Sequence, residues 1–168
     1  MNIKLQEYLT KKFPKLYTKC GEQEPFTLFG FECDDGWFRL ILWLSRYLQH
    51  YIDDQNKYAE KYPDKFLPVK QIKVKQVKEK FSTLRFYVEG GNERTEAIIT
   101  FAEYISAFIC ESTARTDNVG VNKKGWYKTQ HVNNTKKPTD FNLVDDKELT
   151  KILWEIKQEK DNQTYLDL

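Results

Sequence analysis

Lysines crowd one short run of this sequence. Lys70, Lys73, Lys75, Lys78 and Lys80, followed by Arg85, form its densest basic patch, with Phe81 and Tyr87 interleaved. Cations spaced along an extended segment can neutralise successive phosphates, and aromatic rings between them can stack on bases. The same lysines on an exposed strand would instead discourage edge-to-edge pairing of sheets. A phase slip in the alternation divides the lysines between two faces and favours this second role.

Acidic residues form the next candidate set. Glu32, Asp34 and Asp35 could hold a divalent cation or serve acid–base chemistry. Asp34-Asp35-Gly36-Trp37 stands immediately before a long apolar run, however, where an Asp is expected to cap a helix and face the positive end of its dipole. Cys33 lies close to that helix start, where a thiol can lose its proton more easily. The only imidazoles are His50 and His131, so a nucleophilic cysteine is not expected. Pro63-Asp64 followed by Gln76-Val77-Lys78 faintly matches the Asp … Glu/Gln-x-Lys pattern of Mg²⁺-dependent restriction-type nucleases, in which a carboxylate holds the metal and a lysine orients water. A lysine-rich strand produces such a match readily, and Gln76 leaves the second carboxylate position unfilled.

The elements that would carry these residues follow from periodicity. Ile72 and Val74 alternate with lysines, and Leu84, Phe86 and Val88 alternate with Arg85, Tyr87 and Glu89, the pattern of half-buried strands. Val77 and Phe81 have the opposite parity, which predicts a bulge near Lys75–Gln76. A short connection at Lys80–Thr83 closes an antiparallel hairpin over about 71–89. Helices are predicted over 2–13, over about 36–54 with weak continuation to Lys61, over 93–111 behind an Asn92 cap, and over 146–160 behind an Asp145/Glu148 capping box. In the second of these, Trp37, Leu40, Ile41, Leu44, Leu48, Tyr51 and Ile52 fall at helical spacing. Phe38, Leu42, Trp43 and Tyr47 widen that stripe, so burial on more than one side is expected. In the third, the stripe reads Ile98, Phe101, Ala102, Ile105, Phe108 and Ile109. Phe26, Leu28, Phe29 and Phe31 are expected to dock a loop onto the core, and Val119–Val121 to face Trp126–Lys128 in a second hairpin.

The expected fold is a single α+β domain, a small antiparallel sheet packed by amphipathic helices. Its 168 residues can bury a core without staples. The 27 basic and 25 acidic residues leave a net charge of +2, too little to draw a polyanion from a distance. Three widely spaced cysteines fit a reducing compartment. No apolar run approaches the ~18 residues of a membrane span, so a cytoplasmic protein without membrane contact is expected.

Three stretches together resemble a family of small uncharacterised proteins encoded mainly by phages and prophages. They are Phe-Gly-Phe-Glu-Cys-Asp-Asp-Gly-Trp-Phe at 29–38, Gln-Val-Lys-Glu-Lys-Phe-Ser-Thr-Leu-Arg-Phe-Tyr at 76–87, and Ile-Cys-Glu at 109–111 with Gly-Trp-Tyr-Lys-Thr at 125–129. Members of that family tend to carry Gly where Ser82 stands, and many carry a Cys-rich zinc knuckle near the later motifs. Here Cys110 and His131 supply only two of the four ligands a structural zinc needs. Neither metal nor cofactor is therefore expected, and Trp126 and Tyr127 would pack in its place. The resemblance implies a non-enzymatic phage-type accessory protein that acts by binding, with a host protein such as a defence component as partner. Lys73, Lys75, Lys78, Lys80, Arg85, Tyr87, Trp126 and Tyr127 are the candidate binding residues. Nucleic-acid or nucleotide binding by the Lys70–Lys80 strand is the alternative, and a nuclease-like enzyme a further one.

Overall fold

A computed structural model of the protein describes residues 1–17, 30–122 and 127–132, and the backbone of 141–143. The fold is α+β and is built on the expected hairpin. β2 (Lys70–Lys80) and β3 (Thr83–Gly91) pair antiparallel across the two-residue turn Phe81–Ser82. The register shifts between Val74 and Gln76. That bulge absorbs the change of parity, so Ile72, Val74 and Val77 are all buried, as are Leu84 and Phe86 opposite.

A short strand, β1 (Phe31–Glu32), adds parallel to β2 and makes the sheet mixed, in the order β1-β2-β3. β2 is thus the central strand, which corrects the expectation of a lysine-bearing exposed edge. The β3 edge is closed by side chains of α4 (Glu93–Ser106): Leu84 N donates to Ser106 Oγ at 2.8 Å and Phe86 N to Glu103 Oε1 at 2.8 Å. At the start of β2, Asn56 both accepts from Val69 N and donates to Val69 O, as a neighbouring strand would.

α1 (Ile3–Lys12) and α2 (Pro14–Tyr17) precede β1, and α3 (Phe38–Lys61) follows a 3₁₀ turn at Asp35–Trp37. Trp37 is fully buried and its Nε1 donates to Ile109 O at 2.9 Å. α3 buries Ile41, Leu44, Leu48 and Ile52, but Trp43 and Tyr47 are exposed, so the helix is not covered all round. α4 starts at a capping box in which Asn92 Oδ1 accepts from Thr95 N and Thr95 Oγ1 accepts from Asn92 N. It stops at Ser106 rather than near Glu111 and is rotated from its expected face. Thr95, Ile99, Ala102 and Ser106 are buried, whereas Phe101 is exposed and Ile98 and Ile105 are half-buried. Small side chains let this helix lie close on β3, which turns the bulky stripe toward α3.

β4 (Val119–Asn122), β5 (Lys128–His131) and β6 (Phe141–Leu143) form a second, antiparallel sheet in the order β5-β4-β6. Val121 pairs with Thr129, so the return strand begins later than the expected Trp126–Lys128. Trp126, Cys20, the aromatics at 26–29 and the predicted helix over 146–160 lie outside the described residues. Among the described residues, no helix is long and apolar enough to cross a membrane.

Candidate functional site

The three stretches of the resemblance meet at one backbone seam. Gly36 N donates to Glu111 O at 2.6 Å, and Glu111 N donates to Thr129 O at 2.9 Å. A Cβ at Gly36 would collide with the carbonyls of Cys110 and Glu111, so only glycine permits this approach. Thr129 Oγ1 in turn donates to Ser82 O in the hairpin turn. Beside the seam opens a cavity of about 730 Å³, and every described residue that lines it, Met1 apart, belongs to those three stretches.

The acidic cluster has found partners other than a helix end. Asp34 accepts from Lys128 Nζ and Ser112 Oγ, each at 3.0 Å. Asp35 accepts from Asn2 N at 2.6 Å and Glu32 from Gln76 Nε2 at 2.5 Å. Neither Asp caps α3 through its side chain, which corrects the expected N-cap; the 3₁₀ turn puts Trp37 at that position. Partial burial pushes the Asp34 carboxyl up, but the hydrogen bonds from Lys128 and Ser112 outweigh it and hold it below the usual range. Burial also disfavours the Lys128 ammonium, yet Asp34 and Glu111 keep its pKa above the usual value.

Glu111 is the residue that sequence reasoning left without a role. It is 1% exposed. Its Oε1 accepts from Asp34 N at 3.0 Å and lies 4.0 Å from Lys128 Nζ, while its buried Oε2 has no hydrogen-bond partner. Burial raises its pKa, against the pull of the Asp34 N–H and Lys128. Both Glu111 and Lys128 stand in the motifs of the resemblance, but no role for either side chain could be read from them. Cys33 is buried, and that burial, reinforced by Glu111 and Asp34, pushes its thiol up to about 12. It is an unreactive core thiol.

The predicted binding residues divide. Lys78, Lys80 and Tyr127 line the cavity. Lys73 Nζ is turned away to donate to Lys15 O at 2.9 Å, and Lys75 pairs with Glu89 at 2.9 Å. Arg85 bonds Thr83 Oγ1 and Leu84 O and lies 3.7 Å from Glu103. Tyr87 sits under Lys78, whose Nζ is 5.8 Å from its ring centre, outside the cavity. The nuclease-type set does not assemble. Asp64 is exposed in the turn that leads into β2, whereas Lys78 is near the far end of that strand and Gln76 is tied to Glu32. Among the described residues, no three His, Cys, Asp or Glu side chains cluster closely enough to hold a metal ion.

A second concavity, of about 840 Å³, lies between α3 and α4. Leu40, Trp43 and Tyr47 line it from α3, and Ile98, Phe101 and Ile105 from α4. Trp43 is 59% exposed and Phe101 65%. The described rim carries Lys12 and Arg46, His50 paired with Asp54 at 3.2 Å, and Asp53 held by Lys15 at 2.8 Å, and the Arg46 guanidinium sits 5.1 Å from the Trp43 ring centre. These apolar residues are the surplus stripes of both helices, legible in the sequence but assigned there to the core.

No protein-family model matches the chain, and no curated protein or solved structure is significantly similar to it.

Proposed function

We propose that this protein acts by binding another protein in the groove between α3 and α4, as a non-enzymatic accessory factor. One observation carries this reading: two helices keep bulky apolar side chains facing each other, yet Trp43 and Phe101 remain more than half exposed. Aromatic residues and arginine are the types enriched at the centres of protein interfaces. The basic rim favours a partner segment that is apolar along one face and acidic at its flanks. The resemblance to small phage-encoded proteins supports a host protein as that partner, such as a defence component whose action the binding would inhibit.

Because both aromatics are exposed, replacing them should leave the fold intact. Trp43→Ala with Phe101→Ala should keep the thermal midpoint while lowering capture of the partner from host lysate by about tenfold or more. A partner retained equally by the double variant would overturn the reading.

A further inference from the structure

The cavity beside the seam shares no lining residue with the groove, and its chemistry points to a different kind of ligand. Most of its charges are already engaged. Asp34 holds Lys128 and Ser112, Glu32 holds the Gln76 amide, and Glu79 accepts from Ser82 N at 2.7 Å. Lys78 and Lys80 are different. Among the described residues each lies over an aromatic ring, Tyr87 and Phe81 respectively, and no ion pair is formed by either. Two ammonium groups at one wall of a cavity, without carboxylates on them, suit an anionic group from outside.

The aromatic part of the cavity wall is unsatisfied in another way. Phe81 is 76% exposed and Tyr127 51%, and both line the cavity. Phe81 moreover holds a left-handed backbone (φ +52°), a conformation that bulky residues rarely adopt. An exposed ring kept in such a place offers a flat platform for a second ring. Glu111 also borders the cavity, but its unpartnered Oε2 is sealed off from it, so that oxygen holds no ligand.

We infer that this cavity takes a nucleoside monophosphate: phosphate on Lys78 and Lys80, and base against Phe81 and Tyr127. Each demand alone is common, but a nucleotide meets both in one molecule. The volume of about 730 Å³ is ample for one.

Calorimetric titration of the full chain with GMP, guanosine and inorganic phosphate tests this, with AMP, CMP and UMP as further probes. GMP, whose purine offers a large flat face to the rings, should bind about tenfold or more tightly than guanosine or phosphate. Lys78→Gln with Lys80→Gln should reduce GMP binding to the level of guanosine, flatten its salt dependence and leave the thermal midpoint unchanged. Phe81→Asn should weaken GMP and guanosine alike without affecting phosphate. Absence of binding by every mononucleotide, phosphate binding as tight as GMP, or binding that survives the double lysine change would each overturn the inference. None of these outcomes touches the groove, since Trp43→Ala with Phe101→Ala should leave the titrations unaltered.

Discussion

Glu111 shows what a single buried carboxyl does to a small fold. Its raised pKa means that the folded chain keeps a proton which the unfolded chain has already released. Between the ordinary Glu value of about 4.3 and the raised folded value, stability therefore falls as pH rises. Glu111→Gln should flatten that decline, as denaturation midpoints measured from about pH 4 to 8 will report. Asp34 and Asp117 act with the opposite sign. Their folded values are depressed, that of Asp117 to about 2 chiefly by the Arg115 hydrogen bond. Their contribution is present above the ordinary Asp value of about 3.9 and is lost as pH falls through the folded one. Trp37 is the simpler case. Fully buried and hydrogen-bonded to Ile109 O, it should cost about 3–5 kcal/mol on replacement by Ala, measurable by chemical denaturation. Its place before an apolar run made it legible in the sequence. The burial of Glu111 was not, because it is decided by Asp34 and Lys128, which are far away along the chain.

At the scale of elements, alternation revealed the hairpin and the change of parity revealed its bulge. That β2 is the central strand was hidden, because its second neighbour is only two residues long and carries no periodicity. The faces of α4 were misassigned for another reason: hydrophobicity ranks Phe101 above Ala102 and Ser106, whereas close packing on β3 selects the small residues. The turn between β2 and β3 was recognised by length, and the glycine that similar proteins carry where Ser82 stands hinted at strain there, though nothing did so at Phe81. Phe81 and Ser82 both take positive φ, +52° and +65°, where Asn-Gly is the favoured pair. Non-glycine residues in that region cost roughly 1–2 kcal/mol each. Phe81→Asn with Ser82→Gly should therefore raise stability by about 1 kcal/mol or more, seen as a higher thermal midpoint, and should remove the ring that the nucleotide site requires. Lys70→Gln with Lys75→Gln, which breaks two exposed pairs to Glu89, should change stability by less than about 1 kcal/mol. Because β2 is not an edge, light scattering should show no added aggregation.

Across the whole molecule, a groove of surplus apolar side chains and a cavity of mixed charge are supported by one core. Among the described residues the two share no lining side chain, and of the seam's residues Glu111 borders the cavity. That seam also has a consequence for the order in which the chain assembles. It joins residues 72 to 94 positions apart, through Trp37 to Ile109, Asp34 to Glu111 and Lys128 to Asp34. The hairpin and helices close over far shorter spans, so contacts of such separation form after them. A bond formed after the rate-limiting barrier governs escape from the native state rather than entry into it. Gly36→Ala, which forces the carbonyls of Cys110 and Glu111 away, should speed unfolding in stopped-flow experiments while the refolding rate hardly changes. The lifetime of the native protein, more than its speed of formation, is set at a position where no side chain fits.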